Sequence, residues 1–551
     1  VYSASPPLSF TRPGPGFAGS DRYFAVSAAY HGIVLPPSKE AYVVEFTPVA
    51  STYFGAMSVT DLNGDGCPDI FRGLGNCHGG FTTAGVGSLG FTPLYANLDL
   101  RDFRLADFNG DGIPDLVANV YSCDVLECGG PTANSQIMLF FGNADGTFTQ
   151  DTAFTALNVP GGGYGETILV ADFNNNGCLD IFLPKYTFYD PSEHNFLLIN
   201  DCHGNFTDIA EAAGVGQDNE NEYLRTEGAQ ALDINGDGWI DIYAGSQLFI
   251  NNGDLTFTNV GITDDTHGLT SQSPWGLPEQ FDEGAKFIDW DNSGQLSLLL
   301  NAIDGIRIFK YDGVAQFTEE DVIPPQIYMN ESWGLTATDI DGDGRTDFVV
   351  AGGIDQSVET KPEYSALKAE LAQAKEKGDL DMDELLDTSS TPNALPQLLV
   401  NRGQFVIHDF YDDGLTPATR GWNDLQTFAD FDFGGTMDLA SRFSPGDTTV
   451  LMNQATSSDI ITVTVLGNNG EHNQQGRVVR VTPDARPNVT MTQVVDSGSG
   501  YMSNGPYDLT FATPYFGAYT VSVRFADATY TAVARRGDHL IMYANGTISH
   551  Q

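Results

Sequence analysis

Seven times the chain passes from an apolar run into a nine-residue acidic loop of the form D-x-[DN]-x-D-G-x-x-D and back into an apolar run. Clean copies place Asp61, Asn63, Asp65 and Asp69, then Asp107, Asn109, Asp111 and Asp115, then Asp233, Asn235, Asp237 and Asp241, then Asp339, Asp341, Asp343 and Asp347, at loop positions 1, 3, 5 and 9. A near-clean copy has Asp172, Asn174, Asn176 and Asp180. Two degenerate copies keep Asp289, Asp291 and Ser293, with Ser297 at position 9, and Asp430, Asp432 and Asp438, with Gly434 at position 5. If the glycine at position 6 turns the chain sharply, these side chains converge on one point and a carbonyl at position 7 completes the shell. Six to eight hard oxygens suit Ca²⁺, whereas Mg²⁺ prefers fewer protein ligands. An isolated match is an ordinary Asx turn; seven in register predict about five to seven Ca²⁺ ions.

An EF-hand needs a glutamate at position 12 and a helix on each side. Position 12 is Arg72, Ala118, Leu183, Ala244, Leu300, Val350 or Ser441, none of them acidic. The flanks, such as Gly228 to Leu232 and Asp241 to Ala244, read as short strands. The loops therefore join two strands.

Successive loops start 46, 65, 61, 56, 50 and 91 residues apart. A period near 50 points to propeller blades, each a four-stranded sheet unable to bury its faces alone. Within a period the pattern is strand, acidic loop, strand, then a hairpin and an F-T strand: Leu139 to Thr152, Leu197 to Ala210, Leu248 to Gly261. The seventh period lacks its F-T strand, and VVEFTPVA at Val43 to Ala50 supplies one from the other end of the chain. The expected fold is all-β: a seven-bladed β-propeller with Ca²⁺-binding inter-strand loops over 41–455, closed by the N-terminal strand, then a small β-sandwich over 456–551. Residues 1–40 form a Pro/Gly/aromatic arm, and a helical insertion is expected at about 361–390.

The acidic loops resemble the FG-GAP, or VCBS, repeats of integrin α-subunit propellers and of many secreted proteins. The phrases ITVTVLGNNGEHNQQGRVVRV and VVDSGSGYMSNGPYDLTFATPYFGAYTVSVRF, within Ile460 to Asn545, resemble the small ASPIC/UnbV-type β-domain that follows such propellers in cartilage acidic protein relatives. Gln474 and Gln475 stand where that family is richer in glycine. The resemblance implies Ca²⁺ in the loops and adhesive or scaffolding work, and it names no partner.

The chain carries 73 acidic and 25 basic residues, a formal charge of −48. That surface repels nucleic acid and anionic membranes and favours divalent cations. No apolar run is long enough to span a bilayer. A start at Val1 rather than Met fits removal of a targeting segment. Local spacing pairs the cysteines as Cys67–Cys77, Cys123–Cys128 and Cys178–Cys202, against a zinc site of Cys77, His78, Cys202 and His203 that would have to join distant blades. Sequons at Asn205, Asn330, Asn488 and Asn545 fit a secreted glycoprotein. Gly85, Gly87 and Gly90 match a dinucleotide fingerprint without its βαβ setting, so they belong to a turn. Arg536-Gly537-Asp538 reads as a plain turn.

No catalytic constellation stands out, so the expected function is an extracellular, calcium-binding structural or adhesive protein. The alternative is a lectin or carbohydrate-active enzyme with aromatic platforms at the ring mouth, for which Trp239, Trp290, Trp333 and Trp422 are candidates, residues that fit the buried core of their blades equally well. The arm carries Tyr2, Phe10, Phe17, Tyr23, Phe24 and Tyr30; it either folds back on its own molecule or donates a strand to a second copy, with Ala518 to Phe525 as an example of an acceptor edge, giving a homo-oligomer or filament.

Overall fold

A computed structural model describes residues 99–121, 136–143, 148–154, 167–184, 194–216, 226, 228–245, 247–260, 282–302, 305–313, 316–323, 334–350, 397–408, 423–430, 435–443, 447–453, 459–498 and 503–550. Before residue 99 it describes the course of short strands only. The first acidic loop, the pairs Cys67–Cys77 and Cys123–Cys128, Asn330, Trp333, Trp422, the insertion at 361–390 and the arm lie outside the described residues, apart from two short strands, Ala29–Tyr30 and Ile33–Val34.

Every acidic loop joins the first and second strands of an antiparallel four-stranded meander, and the sheets are numbered here by their loops. Sheet 1 is Met57–Thr60, Asp69–Gly73, Phe81–Gly85 and Ser88–Pro93; Gly85 and Gly90 thus lie in its paired third and fourth strands, and Gly87 lies outside the described residues. Sheet 2 is Asp99–Ala106, Asp115–Tyr121, Gln136–Gly142 and Phe148–Asp151. Sheet 3 is Leu169–Ala171, Asp180–Leu183, Phe196–Asn200 and Phe206–Asp208. Sheet 4 is Ala229–Leu232, Asp241–Ala244, Gln247–Asn251 and Phe257–Asn259. Sheet 5 is Asp282–Ile288, Ser297–Ala302, Gly305–Tyr311 and Phe317–Glu320. Sheet 6 is Leu335–Thr338, Asp347–Val350, Gln397–Asn401 and Phe405–His408. Sheet 7 takes Asn423–Ala429, Asp438–Phe443 and Asp447–Asn453, and its fourth strand is Val43–Val49, paired antiparallel with Asp447–Asn453.

Burial falls from the first strand outwards, and sequence follows it. In sheet 4 the first two strands, AQAL and DIYA, are buried throughout. The third, QLFIN, exposes one position in part, and in the fourth, FTN, only Phe257 is buried. A strand covered on both faces reads as continuous small or apolar residues, and an outer strand alternates. Sheets pack face to face through shared clusters: Ala231, Ile242 and Phe249 of sheet 4 meet Leu169, Phe182 and Leu197 of sheet 3. The first strands neighbour one another in chain order from sheet 1 to sheet 7, and the first strand of sheet 7 returns to that of sheet 1.

The C-terminal region folds into two further sheets. One orders Leu509–Ala512, Ile460–Leu466, His539–Tyr543 and Ile548–His550; the other orders Met491–Val494, Val478–Pro483, Tyr519–Arg524 and Thr529–Ala534. Between them lie Ile461, Val463, Val479, Phe511, Tyr519, Val521 and Leu540, all buried.

No sequence motif announces the placing of Met491–Gly498 and of Ser503–Asn504. Strand Met491–Val494 lies against the first strand of sheet 5. Ser497 exchanges hydrogen bonds with Ala231, and its carbonyl accepts from Val170 N at 3.0 Å. Gly498 O accepts from Arg104 at 2.8 Å, and Ser503–Asn504 pairs in parallel with the first strand of sheet 1 and neighbours that of sheet 7. These two stretches together therefore touch first strands of sheets 1, 2, 3, 4, 5 and 7.

Candidate metal centres

The second loop shows how the sequence builds its own cradle. Asp107 Oδ1 accepts from Gly110 N at 2.7 Å, and Oδ2 accepts from Gly112 N at 2.8 Å. Asn109 Oδ1 accepts from Asp111 N at 2.9 Å, and Asp111 Oδ1 accepts from Ile113 N at 2.8 Å. Asp115 closes the loop, taking Phe108 N on one oxygen and Gly142 N, from the third strand, on the other. The position-6 glycine must be glycine, since Gly112, Gly177, Gly238, Gly294, Gly344 and Gly435 all have φ between 75° and 92°. The bond from that glycine to the first aspartate recurs at Asp172, Asp233, Asp289, Asp339 and Asp430.

Burial makes several loop carboxylates at positions 1 and 9 costly to ionise. Burial pushes Asp115 up to about 7 and Asp172 and Asp233 to about 6, only partly offset by N–H donors and, for the latter two, by Arg477. Asp180, Asp241, Asp339 and Asp347 are raised well above the usual carboxylate range, by burial first and by neighbouring aspartates second. Asp289 rises to about 7. Such a loop is poised to exchange protons for a cation.

Two observations test whether a cation fits. Asp233 Oδ1 is buried with no hydrogen-bond partner, an acceptor turned into the fourth loop with nothing supplied to it. In the sixth loop carboxylate oxygens of Asp339, Asp341 and Asp347 lie within 4.8 Å of one another. An all-oxygen donor set of this kind suits Ca²⁺. Asp233, Asn235, Asp237 and Asp241 would hold an ion in the fourth loop, and Asp339, Asp341, Asp343 and Asp347 in the sixth.

The loops differ in how their charge is otherwise met. Arg402 Nη1 lies 2.5 Å from Asp341 Oδ2 and 3.1 Å from Asp343 Oδ2, and Arg345 also pairs with Asp343. In the fifth loop Lys310 Nζ sits 2.5 Å from Asp291 Oδ2, and Ser297 is buried in place of the position-9 carboxylate. That loop is the poorest cation site among those described in full. In the seventh, Asp430 and Asp438 are described and Asp432 is not.

The structure also brings in a residue the motif does not contain. Asn200, Asn251, Asn401 and Asn453 end the third strands of sheets 3, 4, 6 and 7. Each donates its backbone N–H to the position-9 aspartate of its own sheet, at 2.6 to 2.9 Å. Each side-chain amide bridges two carbonyls, one at position 8 of its own loop and one at position 2 of the preceding loop. The sequence signal is the asparagine closing LLIN, LFIN, LLVN and VLMN. Gly142 takes that place in sheet 2, where a Cβ would sit 2.2 Å from Pro114 O.

Cys178, at position 7 of the third loop, is disulfide-bonded to Cys202, just past Asn200. Asn205, Asn488 and Asn545 are exposed. Arg536 is tied to Thr513 O and Asp459, and Gly537 N donates to Ile460 O, so the Arg-Gly-Asp triplet is a turn that closes the sandwich. Trp290 packs against Phe405, 6.2 Å between ring centroids, in the cluster shared by sheets 5 and 6. A cavity of about 90 Å³ is lined by Lys286, Thr336, Asp496, Asp508, Leu509 and Thr510 among others.

Comparison with known proteins follows the same lines. The FG-GAP-like repeat family matches residues 107–183 and 289–350, which hold the second, third, fifth and sixth loops. Over 209 residues the chain is 28% identical to cartilage acidic protein 1 of Xenopus tropicalis, covering 34% of this chain and 29% of that protein, so it spans under a third of the relative's length. Among solved structures it is similar to an Agrocybe aegerita lectin that recognises non-reducing terminal N-acetylglucosamine (15% identity, 85% of this chain, 98% of that one, TM-score 0.37). It is also similar to the six-bladed β-propeller fucose lectin of Aleuria aurantia (10% identity, 65% and 97%, TM-score 0.33). Likeness at those scores assigns no ligand. The chain is all-β with FG-GAP-like repeats, and no helix among the described residues is long and apolar enough to cross a membrane.

Proposed function

We propose that the protein is a secreted, calcium-stiffened structural or adhesive module, a seven-bladed β-propeller capped by an ASPIC/UnbV-like sandwich, rather than an enzyme. The observation that carries this is the placing of buried acidic loops at the same strand connection of successive sheets, with Asp233 Oδ1 left unpartnered. Repetition of one donor set around a ring is what a distributed stiffening role requires; a catalytic site needs unlike groups converging on one point. When bound, the ion neutralises carboxylates that burial has already made costly to ionise. The disulfide and exposed sequons support an extracellular setting.

The carbohydrate-binding alternative is weakened at one place. Ser497 and Gly498 bond to first strands of the ring and Ser503–Asn504 pairs with another, where a ligand at the ring mouth would enter, and the cavity described there is smaller than the roughly 300–1,000 Å³ of small-molecule sites. Isothermal titration calorimetry with Ca²⁺ tests the main reading: saturable binding of several ions supports it, and absence of binding ends it. A glycan array run with and without chelator tests the alternative.

A further inference from the structure

The C-terminal sandwich does not rest on strands alone; it grips the acidic loops by their turns. Asn473 Nδ2 donates to Gly177 O at 2.5 Å, Arg477 Nη1 to Gly238 O at 2.6 Å and Arg480 Nε to Gly294 O at 3.5 Å. These are the position-6 glycines of the third, fourth and fifth loops. Arg477 Nη2 also reaches Asn175 Oδ1 at 2.6 Å, Arg524 reaches Asp237 O, and Thr490 N donates to Asn292 O at 2.8 Å.

The same three glycines are held from the other side by the loop acids. Gly177 N donates to Asp172 Oδ2 at 2.8 Å, Gly238 N to Asp233 Oδ2 at 2.9 Å and Gly294 N to Asp289 Oδ2 at 3.0 Å. A single residue thus separates each position-1 carboxylate from the sandwich. Arg477 is buried, so its guanidinium loses partners it cannot replace with water if the turn moves. Gly238 leaves no room for adjustment, since a Cβ there would lie 2.5 Å from Phe525 O.

We infer that Ca²⁺ in the third and fourth loops latches the C-terminal sandwich onto the ring, and that losing it releases Arg477 and, with it, Val495–Gly498 from between the first strands. The inference rests on the calcium reading above. Its physical content is that the ion fixes the carboxylate, the carboxylate fixes the glycine peptide, and that peptide is the acceptor on which the sandwich seats. Without the ion, Asp233 and Asp237 repel each other and the turn that presents Gly238 O loses its shape.

Hydrogen–deuterium exchange on the full chain, in excess Ca²⁺ and after chelation, tests it. The N–H groups of Val170, Ala231 and Asp233, which donate across to Ser497 and Gly476, should exchange at least about tenfold faster after chelation, while 460–466 and 539–543, which pair within the sandwich, stay protected. Arg477→Ala in excess Ca²⁺ should expose the same three N–H groups while calorimetry still shows Ca²⁺ binding. Equal protection of these groups in both arms, with Ca²⁺ binding demonstrated, overturns the latch and leaves the calcium reading standing. No Ca²⁺ binding at all removes both. If chelation unfolds the sheets as well, the Arg477→Ala arm decides: unchanged protection of the three groups there overturns the latch.

Discussion

The side-chain amide of Asn251 donates to the carbonyl of Phe173, 2.8 Å away in the acidic loop of the preceding sheet. Its other amide hydrogen goes to Ile240 O at 3.0 Å, and its backbone N–H goes to Asp241. One residue therefore links two sheets and the closing carboxylate of a cation loop. Asn251→Ala leaves both buried carbonyls without donors, which costs about 2–4 kcal/mol. The neighbouring exposed Asn252, bonded only within its own hairpin, should cost under about 0.5 kcal/mol when changed to alanine. Urea titration of the two variants side by side measures the difference, and equal losses would discard the stapling role.

The cation loops should rank by their unopposed charge. Chelation is expected to lower the melting temperature substantially, since each site held at a hundredfold excess over its Kd contributes about 2.7 kcal/mol. Replacing Asp107 and Asp111 together with alanine should remove one bound ion and destabilise sheet 2. Asp291→Ala should leave the stoichiometry unchanged, because Lys310 already holds that carboxylate. Calorimetry counts the ions and scanning fluorimetry reads the melting; identical melting with and without chelator defeats the structural role of calcium.

Proton linkage gives a test with a defined sign. Burial raises Asp172 and Asp233 to about 6 and Asp115 and Asp289 to about 7, above the ordinary 3.8. A carboxyl raised on folding binds its proton more tightly in the native state. Its contribution is full below the unfolded value and is lost as pH rises through the folded value. In chelator, the melting temperature should therefore fall as pH is taken from about 5 to about 8. Saturating Ca²⁺ should flatten or reverse that slope, because the ion prefers the ionised form. A chelated protein that becomes more stable over the same rise contradicts the assignment.

The meanders were legible because their cause is local. A strand covered on both faces must be apolar, an acidic D-x-D-x-D-G turn must end it, and the F-T strand must alternate. The strand that completes sheet 7 was legible from a missing phrase at one end and a spare one at the other, and Val43–Val49 pairs there. Asn200 and Asn251 were not legible as functional residues, because an asparagine at a hairpin tip has an ordinary turn explanation. Their second carbonyl lies 92 and 78 residues away, and no local pattern reports it. The docking of the sandwich was hidden for the same reason: Arg477 meets Gly238 across 239 residues. Trp290 packs against the cluster between sheets 5 and 6, the core role that its sequence allows beside that of a sugar platform.

The disulfide between Cys178 and Cys202 spans 24 residues and ties the third loop to the tip of its own sheet. Closing a loop of that length in the unfolded chain is worth about 3 kcal/mol. Cys178→Ser with Cys202→Ser should lose about that much and weaken Ca²⁺ at the third loop, since position 7 supplies a carbonyl ligand. Stability by urea titration and ion count by calorimetry separate the two effects. Loss of stability with an unchanged ion count would mean that the bond braces the hairpin and not the loop.

Self-association through the first forty residues is the remaining proposal, and it rests on composition. The arm combines Pro and Gly with Tyr2, Phe10, Phe17, Tyr23, Phe24 and Tyr30, aromatic surface that stays in water unless something covers it. Val43–Val49 is already committed to sheet 7, so the arm begins at the rim of the ring with its anchor fixed. An extended segment leaving a fixed anchor can add to a sheet edge of another copy, and head-to-tail addition propagates unless the rotation closes. Ala518 to Phe525 is no free edge, because Tyr519–Arg524 pairs on both sides; the outer strand Thr529–Ala534 pairs on one side only, which makes it the acceptor edge. Its Val533 is more than half exposed. Light scattering on the full chain and on a chain lacking residues 1–36 decides the matter. Assemblies larger than a monomer are expected for the first and monomers for the second. Monomers for both at micromolar concentration would place the arm on its own molecule.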